Sequence, residues 1–160
     1  MCCGWLSHLK IETLSSVGQI LIASMIAIIA YRQWKTAHDK LRLDLFDKRF
    51  LIWKSVGSFY NDIVVEGGID AIAVAKFRVD IAHSKFLFGD DINNHLDELV
   101  SRGFEFSKTT RIIRDPRERD TENWSEIVRK DDELLRWFVD QSKSTSPKLF
   151  KRYLGFGTKR

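Results

Sequence analysis

The sequence predicts an all-α protein in which one N-terminal transmembrane helix continues into an antiparallel bundle of four to five helices. Strands have little support, because the 160-residue chain has only two prolines and almost no β-branched runs bounded by turn residues. One long segment carries no charge, and apolar residues recur every three to four positions in most of the remainder. The length suits one compact domain and an anchor, since a domain usually needs about 100–150 residues.

The anchor is predicted between Glu12 and Arg32, where the uncharged run extends from Thr13 to Tyr31. As a helix this run is roughly 28 Å long, close to the ~30 Å hydrocarbon thickness of a bilayer. A buried core helix is the alternative, but aromatic residues flank the run at both ends, as is typical of a membrane span. We therefore expect these aromatic and basic residues at the membrane interface: Trp5, Tyr31, Arg32, Trp34 and Lys35.

Positive charge accumulates on the C-terminal side of this run. Only Lys10 precedes it, whereas the cations that follow are Arg32, Lys35, Lys40, Arg42, Lys48, Arg49 and Lys54. The positive-inside rule then predicts a cytoplasmic C-terminal domain and an external N-terminus. Signal-peptide cleavage is disfavoured, because a cut after Ala30 would put Ile28 at the −3 position, where a small residue is required. The expected organisation is an external segment at 1–12, an anchor at 13–34 and a cytoplasmic helical domain at 35–160.

One side of the anchor carries small residues and one amide, Gln19. Small side chains allow close approach of two backbones, and an amide can hydrogen bond between helices inside a membrane. At 3.6 residues per turn these positions share a sector of roughly 80° that continues beyond the membrane. The predicted helix–helix interface is Ser16, Gln19, Ala23, Ala27, Ala30, Trp34, Ala37 and Leu41. The alternative is that Leu41 and Leu45 pack on later helices of their own chain.

Turn residues divide the rest of the chain into helices. The first helix is expected to end near Glu66, before two glycines. The later helices are expected at about Ile69–Phe86, Ile92–Ile113, from Asp115 onward, and Ser146–Leu154. The expected core residues are Leu45, Phe46, Phe50, Ile52, Trp53, Val56, Phe59, Tyr60, Ile63, Val64, Ile72, Val74, Phe77, Ile81, Trp124, Ile127, Val128, Leu135 and Phe138.

No reaction is indicated by the sequence. His83 and His95 are the histidines best placed to share a site, but their spacing fits no metal-binding pattern. Phosphate-binding loops, nucleophile elbows and paired-cysteine zinc spacings are absent from the sequence. We therefore expect no catalytic residue, no metal and no cofactor. Cys2 and Cys3 are candidates for acylation or for cross-linking two chains, and they lie too near the terminus to staple the fold.

The expected partners are the lipid bilayer and either a second copy of the chain or a partner membrane protein. Nucleic acid is not expected, because the basic residues behind the net charge of +4 concentrate beside the uncharged run. The acid-free tail from Lys148 to Arg160 leaves two interpretations open. It lies on anionic lipid, or its aromatic residues dock on the bundle while its cations stay in water.

Three stretches resemble an uncharacterised family of small bacterial single-pass inner-membrane proteins with an N-terminal anchor and a cytoplasmic helical domain. The stretch YRQWKTAHDKLRLDLFDKRFLIW, from Tyr31 to Trp53, is similar to the segment that leaves the membrane in that family. KFLFGDDINNHLDEL from Lys85 and LLRWFVDQSKSTSPKLFKRYL from Leu134 are similar to its later helices. The resemblance implies a location in the bacterial inner membrane and carries over no catalytic residue.

The function expected from the sequence is therefore non-enzymatic. A membrane-anchored helical protein would act through self-association or by binding a partner membrane protein. The alternative is a membrane-perturbing effector or toxin, for example in phage defence. A lipid-surface or nucleotide-acting enzyme is a third hypothesis, and it would require a polar cleft.

Overall fold

The computed structural model describes residues 5–115, 117 and 123–155, with side chains from residue 18 onward. Every regular element in this part of the chain is helical, which confirms the all-α class. The elements are α1 (Trp5–Glu66), α2 (Ala71–Asp80), α3 (Ser84–Leu87), α4 (Asp90–Arg114), α5 (Trp124–Asp140), a π-helical turn (Gln141–Thr145) and α6 (Ser146–Leu154).

The chain divides into two units, Met1–Asp44 and Leu45–Arg160. In the described residues the first unit consists of the N-terminal part of α1, and the second contains the hydrophobic core. Among the helices whose side chains are described, none combines the length and the apolar composition needed to cross a bilayer. The predicted span begins earlier in the chain, and its residues Thr13 to Val17 lie outside the described side chains.

Helix α1 ends at Glu66, as predicted from the two glycines that follow this residue. Gly67 has a φ of 60°, in the left-handed region that glycine adopts without steric cost. A Cβ atom on Gly68 would lie 2.5 Å from the Thr110 Cγ2 atom of α4. The first glycine therefore allows the turn, and the second allows the chain to pass directly against α4.

Aromatic side chains form the centre of the bundle. Phe59 of α1 stacks on Phe77 of α2, with ring centroids 4.0 Å apart and an interplanar angle of 11°. Phe138 of α5 lies 6.0 Å from Phe59 and 5.9 Å from Phe106 of α4. Phe106, Phe138 and Phe150 are among the largest fully buried side chains. Four helices are thus held by one continuous aromatic cluster.

The predicted α1 core stripe was too wide. Ile52, Val56, Phe59, Tyr60 and Ile63 are buried, whereas Phe50 and Val64 are about half exposed. At 100° per residue, those two positions lie roughly 100° or more around the helix from the centre of the buried face. Leu45, the first residue of the second unit, is also exposed. The bundle covers only one face of α1, so a second apolar stripe remains in solvent.

The predicted second helix is wrong in its extent, because the chain forms two shorter helices there. Between α2 and α3 the Ala82 N–H donates to the Val79 carbonyl at 3.1 Å, and the Ser84 N–H donates to the Ile81 carbonyl at 2.9 Å. These i to i−3 bonds tighten the backbone into a turn. Ile81 is buried as expected, but Ile72 points outward and is exposed.

The predicted start of the fourth helix, from Asp115 onward, lies largely outside the described residues. Asp115 follows α4, and its Oδ1 atom accepts a hydrogen bond from the Arg117 N–H at 3.0 Å. Residues 116 and 118–122 lie outside the described part, and α5 begins at Trp124. Leu134 and Phe138 supply its buried positions, while the predicted Val128 is exposed. Val128 lies about 120° around the helix from Leu134, and therefore off the face that is covered.

A π-helical turn joins α5 to α6 without an intervening loop. The following helix begins at Ser146, with Pro147 in its first turn, and ends at Leu154 before Gly155, as predicted. Single π-helical turns are rare and often accompany functional or constrained positions. Here the turn immediately precedes Ser146, which is fully buried.

Candidate functional site

The N-terminal unit presents a run of large apolar side chains to solvent. We define the exposed apolar segment as Ile20–Ile29, whose large members are each 53–66% exposed: Ile20, Leu21, Ile22, Met25, Ile26, Ile28 and Ile29. Monomeric soluble proteins rarely leave contiguous apolar patches larger than a few hundred Å² uncovered. The segment therefore has the character of a surface that is covered by lipid or by another protein.

The predicted interface residues lie on one face of this helix. Gln19, Ala23, Ala27 and Ala30, which we define as the small-residue face, are exposed within α1. Trp34, Ala37 and Leu41 continue the same face and are also exposed. The side chain of Ser16 lies outside the described residues. The helical geometry therefore brings the described members into one strip, and that strip is open to solvent.

Aromatic and basic residues follow the exposed apolar segment directly. The rings of Tyr31 and Trp34 lie 6.2 Å apart, and those of Trp34 and His38 lie 5.9 Å apart. Arg32 and Lys35 are exposed between and beside them. Such residues favour the headgroup level of a bilayer, where a ring and a cation both find suitable surroundings. The side chain of Trp5, at the opposite end, lies outside the described residues.

Hydroxyl groups in this part of α1 bond to the helix itself. The Ser24 hydroxyl donates to the Ile20 carbonyl at 2.7 Å, and the Thr36 hydroxyl donates to the Arg32 carbonyl at 2.9 Å. Bonding of this kind lowers the cost of placing a hydroxyl in apolar surroundings, because the donor keeps a partner there. Ser24 is thus compatible with an apolar environment around the segment.

A buried polar cluster in the second unit was not predicted from the sequence. The Ser146 hydroxyl lies 2.6 Å from the Tyr60 hydroxyl and 2.7 Å from the His95 Nε2 atom. Ser146 is 0% exposed and His95 is 6% exposed. Burial raises the pKa of Tyr60 to about 12, although the bond with Ser146 acts to lower it. Burial lowers the pKa of His95, whereas the negative charge of Glu98 acts to raise it.

This cluster joins three helices through one buried serine. Ser146 and His95 have the residue types of a nucleophile and its base, but the serine hydroxyl has no solvent access. A neutral His95 can accept from Ser146, which then accepts from Tyr60, so each hydroxyl proton has an acceptor. The cluster therefore satisfies buried polar groups of α1, α4 and α6 in one chain of bonds.

The C-terminal helix docks its aromatic residues on the bundle, which favours one of the two interpretations of the tail. Phe150 is buried, with its ring 4.9 Å from Trp53 and 5.3 Å from Phe88. The Tyr153 hydroxyl donates to Asp91 Oδ1 at 2.7 Å, and this bond lowers the pKa of Asp91. The cations of the described part of the tail are Lys148, Lys151 and Arg152, and all three are exposed.

The histidines considered as a metal pair have different environments. His95 is committed to the buried bond with Ser146, while His83 is exposed in the turn before α3. Within the described residues, no group of three or more His, Cys, Asp or Glu side chains is arranged to hold a metal ion. No known protein family, characterised protein or solved structure matches the chain at a significant level.

Proposed function

We propose that this chain is a membrane-anchored helical protein that acts through self-association, with residues 13–34 as its anchor. The exposed apolar segment is the observation that carries the proposal, because seven large apolar side chains on one helix are each more than half exposed. At about 25 cal/mol per Å², covering such side chains is strongly favourable. The proposed role also requires no catalytic site in the described part of the chain.

The residues that flank the exposed apolar segment favour lipid as its surroundings. Tyr31, Arg32, Trp34 and Lys35 follow the segment, in the order expected where a helix leaves the hydrocarbon region. The uncharged run extends back to Thr13, which gives a helix of roughly 28 Å. The cations that follow the run support a cytoplasmic second unit.

Self-association is supported by the small-residue face. Alanine at positions 23, 27 and 30 allows a second helix to approach closely, and Gln19 offers a hydrogen bond at the same face. Bonds of this kind in membranes are worth about 0.6–2 kcal/mol each. A second copy presents the same face, so the contact is self-complementary in a parallel dimer.

The experiment expresses the full chain in bacterial cells and measures two properties. Alkaline carbonate extraction tests the anchor, and resonance energy transfer between tagged copies in the membrane tests association. We expect the wild type to remain in the pellet and to associate. Ala23→Leu/Ala27→Leu keeps the run apolar but blocks close approach, so association should weaken about 10-fold, the equivalent of ~1.4 kcal/mol.

The matched control is Met25→Leu/Ile29→Leu, which makes apolar exchanges on the other side of the same helix. This control should associate as the wild type does. Release of the wild type by carbonate would contradict the anchor. Equal association of the Ala23→Leu/Ala27→Leu variant and the control would contradict the small-residue face as the contact.

A further inference from the structure

Helix α6 separates aromatic and cationic side chains onto opposite faces. Ser146, Phe150 and Tyr153 lie within roughly 60° of one another around the helix, on the side that packs against the bundle. The opposite side carries three exposed cations, which are Lys148, Lys151 and Arg152. A helix with this division is suited to lie in the plane of a lipid surface, with its aromatic side in the acyl boundary and its cations among the headgroups.

The charge of this part of the chain favours an anionic surface as its partner. No acidic residue follows Asp140 in the sequence, whereas six cations do: Lys143, Lys148, Lys151, Arg152, Lys159 and Arg160. Each lysine or arginine near an anionic bilayer is attracted to it. A lipid surface also offers an apolar layer that can take up Leu149 and Phe150 when they leave the bundle. Anionic lipid therefore matches both faces of α6.

Two hydrogen bonds tie α6 to α4, and both involve titratable side chains of α4. The Ser146 hydroxyl, at the start of α6, lies 2.7 Å from the His95 Nε2 atom. The Tyr153 hydroxyl, near the end of α6, donates to Asp91 Oδ1 at 2.7 Å. In the forms present at neutral pH, a histidine and a carboxylate both offer an acceptor. Acid therefore acts on the polar contacts between α6 and α4.

The connection to α5 allows α6 to move as a unit. The π-helical turn Gln141–Thr145 contains no buried residue, so contacts with the core do not fix its conformation. Helix α6 is also the last helix of the described part of the chain. Its departure would uncover the aromatic rings that Phe150 now contacts, which belong to Trp53 and Phe88. The helix is thus a strap over an aromatic surface of the bundle.

His95 gives the docked position its pH dependence near neutrality. The groups that face it are Ser146 on α6, Tyr60 on α1 and Glu98 on its own helix. Burial lowers the pKa of His95 while α6 is docked, and part of this burial is relieved when α6 leaves. The released form therefore binds a proton more readily. Docking is favoured fully above pH ~6.5 and less as the pH falls from there through the pKa of His95 in the docked form.

Asp91 responds only at lower pH. It is faced by Tyr153 and Arg152 of α6, and the bond from Tyr153 lowers its pKa from an ordinary value of about 3.8. Arg49 of α1 lies over the Tyr153 ring, 5.7 Å from its centroid. Asp91 keeps its charge between pH ~6.5 and ~4.5, so of the two contacts only that of His95 weakens in this range.

We propose that α6 exchanges between the bundle and an anionic lipid surface, and that His95 makes this exchange sensitive to acid. The two interpretations of the tail then describe two positions of one helix. Docking retains the bonds to His95 and Asp91, while lipid takes up the same aromatic face and attracts the cations. The exchange rests on the proposed membrane location and does not require the small-residue face of the anchor.

The test measures the distance between α6 and α4 in the full chain after reconstitution into vesicles. Spin labels are attached at two exposed positions, Lys151→Cys on α6 and Ser101→Cys on α4, in a Cys2→Ser/Cys3→Ser background. Excess unlabelled chain of the same background restricts the signal to distances within one chain. A reference pair combines Ser101→Cys with Ser125→Cys on α5.

The vesicles contain phosphatidylcholine alone or equal parts of phosphatidylcholine and phosphatidylglycerol. Electron paramagnetic resonance gives the ratio of released to docked α6 between pH ~7.5 and ~4.5. We expect one docked distance in phosphatidylcholine and a second, longer distance in the anionic vesicles. The ratio should rise below pH ~6.5 by at most 10-fold per pH unit, because one proton is involved. The reference pair should keep one distance throughout.

Two histidine variants assign the response to acid. His95→Gln should remove the response, because glutamine keeps a hydrogen-bonding side chain without titrating. His83→Gln, at an exposed histidine, should respond as the wild type does. Circular dichroism verifies that each variant is folded.

A charge variant tests the lipid contact. Lys148→Gln should lower the ratio of released to docked α6 in anionic vesicles about fivefold, which is the contribution of one cation near such a surface. Lys130→Gln, which removes an exposed cation from α5, should leave the ratio unchanged. Equal effects of the two variants would contradict α6 as the lipid contact.

The exchange is contradicted if α6 stays docked in anionic vesicles at every pH, or if neutral vesicles release it equally. A response of His95→Gln that equals that of the wild type would also contradict it. Loss of the reference distance together with the α6 distance would indicate unfolding of the bundle instead. Carbonate extraction reports on the anchor separately, so a chain that is extracted but still moves α6 to anionic lipid would contradict only the anchor.

Discussion

The His95 Nε2 atom on α4 lies 2.7 Å from the Ser146 hydroxyl on α6, although 51 residues separate them in the chain. Tyr60 reaches the same hydroxyl from α1 at 2.6 Å. A single buried serine is therefore the partner of two polar side chains from two other helices. Because unsatisfied buried groups are costly, this serine should contribute to stability more than its size suggests.

Replacing the shared hydroxyl tests this role. Ser146→Ala leaves Tyr60 and His95 without their common partner, and we expect the free energy of unfolding to fall by about 2–4 kcal/mol. The matched control is Ser144→Ala, because the Ser144 hydroxyl donates to a carbonyl of its own helical turn and lies in an exposed position. The control should change stability by less than about 0.5 kcal/mol. Urea denaturation gives both values, and equal effects would contradict the shared role.

Acid should weaken the same cluster. Burial lowers the pKa of His95 below its ordinary value of about 6.5, so the unfolded chain binds a proton there more readily than the folded chain. The stability that a neutral, buried His95 contributes is fully present above pH ~6.5. It is lost as the pH falls from there through the pKa of His95 in the folded chain. A protonated His95 must donate to Ser146, which turns the Ser146 proton toward Tyr60 and leaves the Tyr60 proton without its acceptor.

The groups that face His95 are Ser146 on α6, Tyr60 on α1 and Glu98 on its own helix. Glutamine keeps a hydrogen-bonding side chain without titrating, so His95→Gln should flatten the loss of stability between pH ~6.5 and the folded pKa. His83→Gln, at an exposed histidine, should leave the pH dependence as in the wild type. Identical pH profiles for both variants would refute the assignment to His95.

Two glycines within helices should respond oppositely to the same substitution. A Cβ on Gly103 would lie 3.1 Å from Phe59 and 3.2 Å from Val74, both of which are buried. Gly103→Ala should therefore destabilise the bundle by about 1–2 kcal/mol through overpacking. Gly57 has no such neighbour within 4 Å, so Gly57→Ala should stabilise α1 by about 0.5–1 kcal/mol. Thermal unfolding measures both signs, and a stabilising Gly103→Ala would contradict the close packing.

The proposed orientation is testable with the chain's own thiols. Cys2 and Cys3 are its two cysteines, and both precede the anchor. In spheroplasts a membrane-impermeant maleimide should label them without permeabilisation if the N-terminus is external. In a Cys2→Ser/Cys3→Ser background, Ser144→Cys should react only after permeabilisation. The reverse pattern would indicate an inverted protein.

Local features of the fold were predictable where one residue type decides the backbone. The paired glycines after Glu66 and the Ser-Pro start of α6 have strong conformational preferences, and both boundaries agree with the structure. The break between α2 and α3 was missed, because no glycine or proline marks it and apolar periodicity continues through Ile81. Tertiary packing decides such positions.

The buried cluster shows why sites are harder to predict than helices. Ser146 could be recognised as a helix start, but nothing local indicates that Tyr60, 86 residues earlier, bonds to it. Apolar spacing likewise gave α1 two candidate stripes, and only contact with other helices decides that Phe59 is buried and Phe50 is not. The small-residue face, by contrast, follows from helix geometry alone.

The most direct test of membrane anchoring is alkaline extraction of two lysine variants. Ile22 is at the middle of the run from Thr13 to Tyr31, where a lysine costs about 2.5–3.5 kcal/mol, whereas Gln33 lies beyond its end among existing cations. We predict that the wild type and Gln33→Lys remain in the membrane pellet while Ile22→Lys is largely lost from it. Extraction of the wild type, or equal retention of both variants, would contradict the anchor.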